Sequence, residues 1–289
     1  MLTAELMARV ESMLGARVVA QRAVSGGYTP ALRLVCQTSK GSVFVKAGVT
    51  PLTAQFVCRE ISVYERIDES FMPRLRAASI VDDVPVLIIE DLSDCTWPPP
   101  WDARRVADVV QQIRQMHERS TTLEPFEQVL GRFDAQWQYV ADDPAPFLSL
   151  GLADAHWLDR ALPVLLAAEA QCSTTGEALC HFDLRSDNLC FRGDSPILID
   201  WNYACRGNPN LDLGFMLPSL AWEGGPQPET ILPDACEVAA LVCGFFAARA
   251  GLPDIADAPF VRRVQREQLS AALPWACRSV GLALPDLSV

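Results

Sequence analysis

His181, Asp183, Asn188 and Asp200 fall within one stretch, Ala178 to Trp201, that reads ALCHFDLRSDNLCFRGDSPILIDW. Two apolar runs, Asn188 to Phe191 and Pro196 to Ile199, flank a Gly193-Asp194-Ser195 turn, so the segment predicts a hairpin with polar groups at its mouth. Phosphoryl transfer needs a carboxylate that orients an attacking hydroxyl and accepts its proton, and hard oxygen ligands for Mg2+ beside the nucleotide phosphates. Asp183 suits the first role; Asn188 and Asp200 suit the second. The transition state is loose, so Asp183 need not be a strong base, and positioning and charge neutralisation carry most of the catalysis.

Such chemistry also needs a cation for the phosphates and elements that hold everything in place. Lys40 and Lys46 are the only lysines, and every other basic position is Arg. Lys46, in the apolar run VFVKAG, therefore marks a place where a compact ammonium is wanted. Thr3 can cap a helix with Leu6, Met7, Val10, Met13 and Leu14 on one face, ending at Gly15. Strands are expected over 17–24, 31–37, 42–47, 75–81 and 84–90, with a helix over 51–67 between the third and fourth. The turn at Ser25, Gly26 and Gly27 reads either as a flap over a phosphate chain or as an ordinary hairpin turn. Glu60 on the helix could reach Lys46 and hold it toward phosphate oxygens. The alternative is a surface ion pair of little value, and Glu65 is a rival that points elsewhere.

A Pro-rich loop from Trp97 to Trp101 follows the fifth strand, and the chain then becomes mostly helical. Helices are expected over 102–119, 126–140 and 152–170, and after the hairpin from about Leu211, Pro233 and Pro259. His117 lies on the apolar side of the first of these and reads as a packed core residue, not a ligand. The chain thus divides into 1–91 and 92–289, an α+β organisation with a small sheet-bearing lobe and a larger helical one.

A length of 289 residues and a hydrophobic fraction of 50% permit two such lobes with a substantial core. The net charge of −12 argues against nucleic acid as a partner. The longest apolar stretch is well short of the roughly 20 residues that span a bilayer, and no signal peptide is visible, which points to a cytoplasmic protein without a membrane partner. The ten cysteines include no CxxC pair, so buried reduced thiols are expected in place of a zinc or redox site.

Taken in order, SGGYTPALRL, VFVKAG, REISVYERI, VLIIEDL, HFDLRSDN, LIDW and NLDLGFML resemble the motifs of the aminoglycoside phosphotransferase and choline kinase family. The resemblance covers nearly the whole chain and implies a two-lobed protein-kinase-like fold, with a five-stranded antiparallel sheet plus helix in the N-lobe and a mostly helical C-lobe. It implies Asp183 as catalytic base, Asn188 and Asp200 as Mg2+ ligands, and Lys46, supported by Glu60, on the α and β phosphates. Ser25, Gly26 and Gly27 would cover the phosphates, and the backbone near Glu90 and Leu92 would meet the adenine edge. His181 and Asp212 would be structural, anchoring the catalytic loop. Arg185 either stabilises the transferring phosphoryl group or pairs with a carboxylate such as Asp187.

Trp201 and Asn202 replace the Phe-Gly of protein kinases, and no APE-type motif follows, which argues against a regulated activation loop. Candidate acceptor residues are Asp187, Trp201, Asn202, Trp222 and Glu223, with Asp134, Asp142 and Asp143 as further acids. The expected activity is Mg2+-dependent transfer from ATP or GTP to a hydroxyl of a small molecule, led by aminoglycoside-like or other cationic antibiotics. A metabolic kinase for a sugar, amino alcohol or choline-like acceptor is the alternative. An inactive nucleotide-binding scaffold is a third reading, and the retention of Lys46, Asp183, Asn188 and Asp200 together argues against it.

Overall fold

The computed structural model describes residues 2–24, 30–133, 135–256 and 258–286, so the expected phosphate flap at Ser25, Gly26 and Gly27 lies outside the described residues, as does Asp134. Thr3 caps α1 (Ala4–Leu14) by accepting from the Leu6 N–H, and Gly15 closes it in the left-handed conformation that glycine tolerates. Then come β1 (Val18–Ala23), β2 (Leu32–Thr38), β3 (Gly41–Ala47), α2 (Pro51–Arg66), β4 (Leu75–Val81) and β5 (Val84–Glu90). The five strands form the expected five-stranded antiparallel sheet, in the order β1-β2-β3-β5-β4.

That alternation places the site. Val43, Val45 and Ala47 of β3 are buried with Leu34, Cys36, Val86, Ile88 and Val10 of α1. Successive side chains of a strand point to opposite faces, so Lys46 projects away from α1. On that face stands α2, started by a reciprocal pair of Thr50–Thr53 bonds and burying Val57, Glu60, Ile61 and Tyr64.

Farther along lie α3 (Ala103–His117), α4 (Phe126–Leu130), α5 (Gln136–Asp142), α6 (Ala145–Leu148) and α7 (Ala155–Glu169). The single helix expected over 126–140 is two, because Gly131 (φ 77°) and Ala135 (φ 58°) leave the helical region between them. The chain continues through β6 (Ala178–Cys180), β7 (Leu189–Arg192), β8 (Ser195–Leu198), β9 (Cys205–Gly207), α8 (Pro209–Trp222), α9 (Pro228–Ile231), α10 (Cys236–Ala250) and α11 (Val261–Ser279). β7 and β8 make the expected hairpin, whereas the β6–β9 pair, three residues a side, is too short to show a pattern in the sequence.

Two compact units result: residues 1–98 with 187–204, and residues 99–186 with 205–289. This differs from the expected division at residue 91. The β7–β8 hairpin belongs with the sheet unit because Phe191 pairs with Thr96, the Leu198 N–H donates to Phe71 O (2.7 Å), and Cys190 and Ile197 pack on Leu92. In the other unit α10 is apolar all round and buried along most of its length, which makes it the central helix. Among the described residues no helix is long and apolar enough to cross a membrane. All ten cysteines are free thiols, six of them buried.

Candidate active site

In the sheet unit, the Lys46 ammonium lies 2.6 Å from Glu60 Oε2 and 2.7 Å from Asp200 Oδ1. Lys46 is 5% exposed and Glu60 1%, so this is a buried ion pair and not the surface alternative; Glu65 is exposed. Burial pulls the ammonium down, but Asp200 and Glu60 outweigh it and the net direction is up. Burial likewise pushes the Glu60 carboxyl up, against the pull of Lys46. One ammonium facing two carboxylates leaves an excess of negative charge, which suits a cation. Asp200 has φ 65°, a left-handed conformation that Asp tolerates better than most residues, and this sets its carboxylate at the end of the hairpin. Asn188 is buried beside it in the chain path, its carbonyl accepting from the Ile199 N–H (2.9 Å). A carboxylate and a carboxamide oxygen are the donor set Mg2+ takes, so these residues fit that ion.

Two expected substrate residues belong instead to the support of Asp200. Trp201 is 0% exposed, donates from Nε1 to Leu198 O (2.8 Å) and packs on Phe71, so its side chain is not available to an acceptor. Asn202 is also buried, and its amide nitrogen donates to Asp200 Oδ1 (2.8 Å) and O (3.1 Å). At the expected hinge, the Glu90 N–H bonds Arg74 O (2.9 Å) and the Glu90 carboxylate pairs with Arg192 (2.8 Å). The Leu92 carbonyl accepts from the Cys95 N–H (3.0 Å), while the Leu92 N–H has no partner among the described residues. Tyr64, one turn beyond Glu60, is buried, with its hydroxyl unpaired among the described residues.

In the helical unit, the catalytic-loop motif is held from beneath by Asp212. Its Oδ2 accepts from the His181 N–H (2.9 Å) and its Oδ1 from the Phe182 N–H (2.6 Å). His117 Nε2 lies 2.8 Å from the same Oδ2, so this histidine is a hydrogen-bonded partner of the brace as well as a packed residue. His117, Cys180 and Asp212 present ligand atoms within 4.8 Å of one another, but the Asp212 oxygens are already engaged by the loop backbone and by His117. Farther along the loop, the His181 ring accepts at Nδ1 from the Asp183 N–H (3.2 Å), which leaves Nε2 to carry the proton. Phe182 has φ 57°, and its ring closes over Gly207, where an added Cβ would lie 2.9 Å from Cε2. This strained backbone turns Asp183 outward, with a side chain 20% exposed. The Arg185 guanidinium pairs with that carboxylate.

Of the acids named for an acceptor, Asp134 lies outside the described residues and the others make the following contacts. Glu223 is held by Trp101 Nε1 (2.8 Å) on one oxygen and by Ser186 Oγ on the other. Asp142 accepts from Gln138 Nε2 (2.7 Å) and Asp143 from the Ala145 N–H (3.3 Å), both as exposed local contacts. Asp187 is exposed, and Trp222 is 51% exposed at the end of α8.

Residues 29–240, well over half of the chain, match the phosphotransferase enzyme family (APH), and the chain belongs to that family. It is a small-molecule kinase, transferring a phosphoryl group to an alcohol. No curated protein matches the sequence. Among solved structures, aminoglycoside phosphotransferase APH(4)-Ia aligns with a TM-score of 0.59 at 13% identity, covering 95% of this chain and 97% of that one. Spectinomycin phosphotransferase APH(9)-Ia, in complex with ADP and spectinomycin, gives 0.56 at 12% identity over 93% and 94%. An ethanolamine kinase of Plasmodium vivax gives 0.56 at 15% identity over 90% and 84%. At these identities the likeness is one of fold, the protein-kinase-like α+β fold.

Proposed function

We propose that this enzyme transfers the γ-phosphoryl group of ATP or GTP to a hydroxyl of a small molecule in a Mg2+-dependent reaction. The observation that carries this reading is the buried Lys46 ammonium held between Glu60 and Asp200. A scaffold has no use for a lysine desolvated and doubly paired at such cost, whereas a site that must present one fixed positive charge to phosphate oxygens does. Asn188 and Asp200 would hold Mg2+, which supplies charge neutralisation at the phosphates. Lys46, oriented by Glu60, binds and orients the phosphate chain, and the Leu92 N–H is a donor for the base. Asp183 orients the acceptor hydroxyl and takes its proton. The Arg185 guanidinium, paired with Asp183, would neutralise charge on the phosphoryl group in flight.

Solved neighbours in complex with ADP and hygromycin B, or with ADP and spectinomycin, support a nucleotide co-substrate and a small-molecule acceptor. The cationic-antibiotic reading draws on those neighbours, and the amino-alcohol reading on the ethanolamine kinase. The test is nucleoside diphosphate release by purified protein with Mg2+ and ATP or GTP across acceptors, repeated with Asp183→Ala. That variant is expected to keep nucleotide affinity and lose turnover by a factor of about 10² to 10⁴. Undiminished turnover would overturn the role given to Asp183.

A further inference from the structure

In the helical unit, one helix holds the catalytic loop at both ends. Asp212, in the first turn of α8, takes the His181 and Phe182 N–H groups. Glu223, the residue that ends α8, takes the Ser186 hydroxyl on Oε1. Between these two attachments Leu184 is buried, and Asp183 and Arg185 stand on the tethered stretch with their side chains paired. Asp212 and Glu223 are eleven positions apart, about three turns of helix, which returns both to one face. Helix α8 thus offers the loop two carboxylates on the same side, about 16 Å apart along its axis.

Glu223 stands where a carboxylate is disfavoured. The C-terminal end of a helix carries partial negative charge, and the last turn of α8 has no basic residue to offset it. Two hydrogen-bond donors meet the charge instead. The Ser186 hydroxyl donates to one oxygen, and Trp101 Nε1 donates to the other at 2.8 Å. Trp101 precedes Asp102, the N-cap of α3, so the indole ties the carboxylate to a second helix and limits its freedom to swing. Ser186, Glu223 and Trp101 are all partly buried, a setting in which a charge-assisted hydrogen bond is stronger than in water.

We propose that Glu223 is a positioning residue for phosphoryl transfer. Acting through Ser186 and fixed by Trp101, it anchors the far end of the catalytic loop and so sets the Asp183–Arg185 pair, with Asp212 bracing the near end. The inference rests on the phosphotransferase reading and gives Glu223 a different task from the acceptor contact expected from the sequence. What the reaction uses is the pair of hydrogen bonds, which separates this role from that of a charge awaiting a cation. Glu223→Gln can keep both bonds, because its carbonyl accepts from the indole and its amide donates to the Ser186 oxygen. Glu223→Ala keeps neither.

Two measurements on the full chain test this. The first is hydrogen–deuterium exchange, which needs no acceptor. Glu223→Ala is expected to speed amide exchange about tenfold from Leu184 to Ser186 while α10 is unchanged, and Glu223→Gln to exchange like the wild type. The second is nucleoside diphosphate release with Mg2+ and ATP, using whichever of hygromycin B, spectinomycin and ethanolamine turns over fastest. Glu223→Ala and Ser186→Ala are each expected to lower kcat about 10- to 100-fold with KM for ATP unchanged. The double variant is expected to be no slower than either, because both remove one contact. Glu223→Gln is expected to stay within about threefold of the wild type. Single effects that multiply in the double variant, or unchanged exchange in Glu223→Ala, would overturn the proposal. So would Glu223→Gln matching Glu223→Ala with a raised acceptor KM and an intact kcat, which would make Glu223 an acceptor ligand. With all three compounds inert the exchange result decides: faster exchange in Glu223→Ala alone supports the anchor, and equal exchange in all three proteins overturns it. Failure of the wild-type protein to bind AMP-PNP would instead remove the phosphotransferase reading and leave the exchange result standing.

Discussion

Lys46 shows how a single residue can be named from sequence while its energetics cannot. Its rarity and its apolar flanks mark it, but only the fold gives it two carboxylate partners at 2.6 and 2.7 Å. Lys46→Met would leave Glu60 and Asp200 facing each other in a buried setting, an expected loss of about 3–5 kcal/mol in urea unfolding. A change under about 1 kcal/mol would mean the pair is far better solvated than its burial indicates. Tyr64 runs the other way. Its hydroxyl is buried without a partner among the described residues, and Tyr64→Phe is expected to be neutral or to stabilise by up to about 1 kcal/mol. A clear loss would reveal a bond that the hydroxyl makes. Asp91 sets a pH dependence. Burial pushes its carboxyl up, but bonds from Ser42 and Ser93 outweigh this and hold it below its ordinary value of 3.8. With the folded value depressed, the stabilisation is present above the unfolded value and is lost as pH falls through the folded one. The stability gap between wild type and Asp91→Asn should therefore be constant at neutral pH and close on acidification; a gap that survives at pH 2 would reject this.

At the scale of elements, the sheet and α2 were legible because strands alternate with period two and helices with period 3.6, and both patterns are local. What was not legible was long-range. Helix α5 has no cap of its own, and its first N–H groups, from Gln136 and Trp137, are met by the buried Glu169 carboxylate at 2.6 and 3.0 Å. Glu169 lies more than 30 residues away, at the end of α7, and nothing in the sequence links the two. Glu169→Ala should cost about 1–3 kcal/mol by orphaning those donors, measured by thermal unfolding. The Asp212 brace is a similar case: NLDLG was recognisable as a motif, but its bonds to two loop N–H groups and to His117 needed the packing of α3, β6 and α8. Trp201 was named as a candidate acceptor residue from its motif position, and its burial behind the hairpin is a packing property that the motif does not record.

For the whole molecule, family and fold were readable as an ordered series of motifs, since spacing along the chain survives when identity to solved relatives is 12–15%. Acceptor chemistry was not, because it depends on which side chains of separate helices meet, and no local pattern records that. The central claim is phosphoryl transfer to an alcohol, and it is tested most directly by following the phosphorus itself. With Mg2+, a nucleoside triphosphate and an active acceptor, 31P NMR should show one phosphate monoester formed for each nucleoside diphosphate released, and none with Asp183→Ala. Release of inorganic phosphate in place of the ester, or ester formation undiminished in that variant, would contradict it.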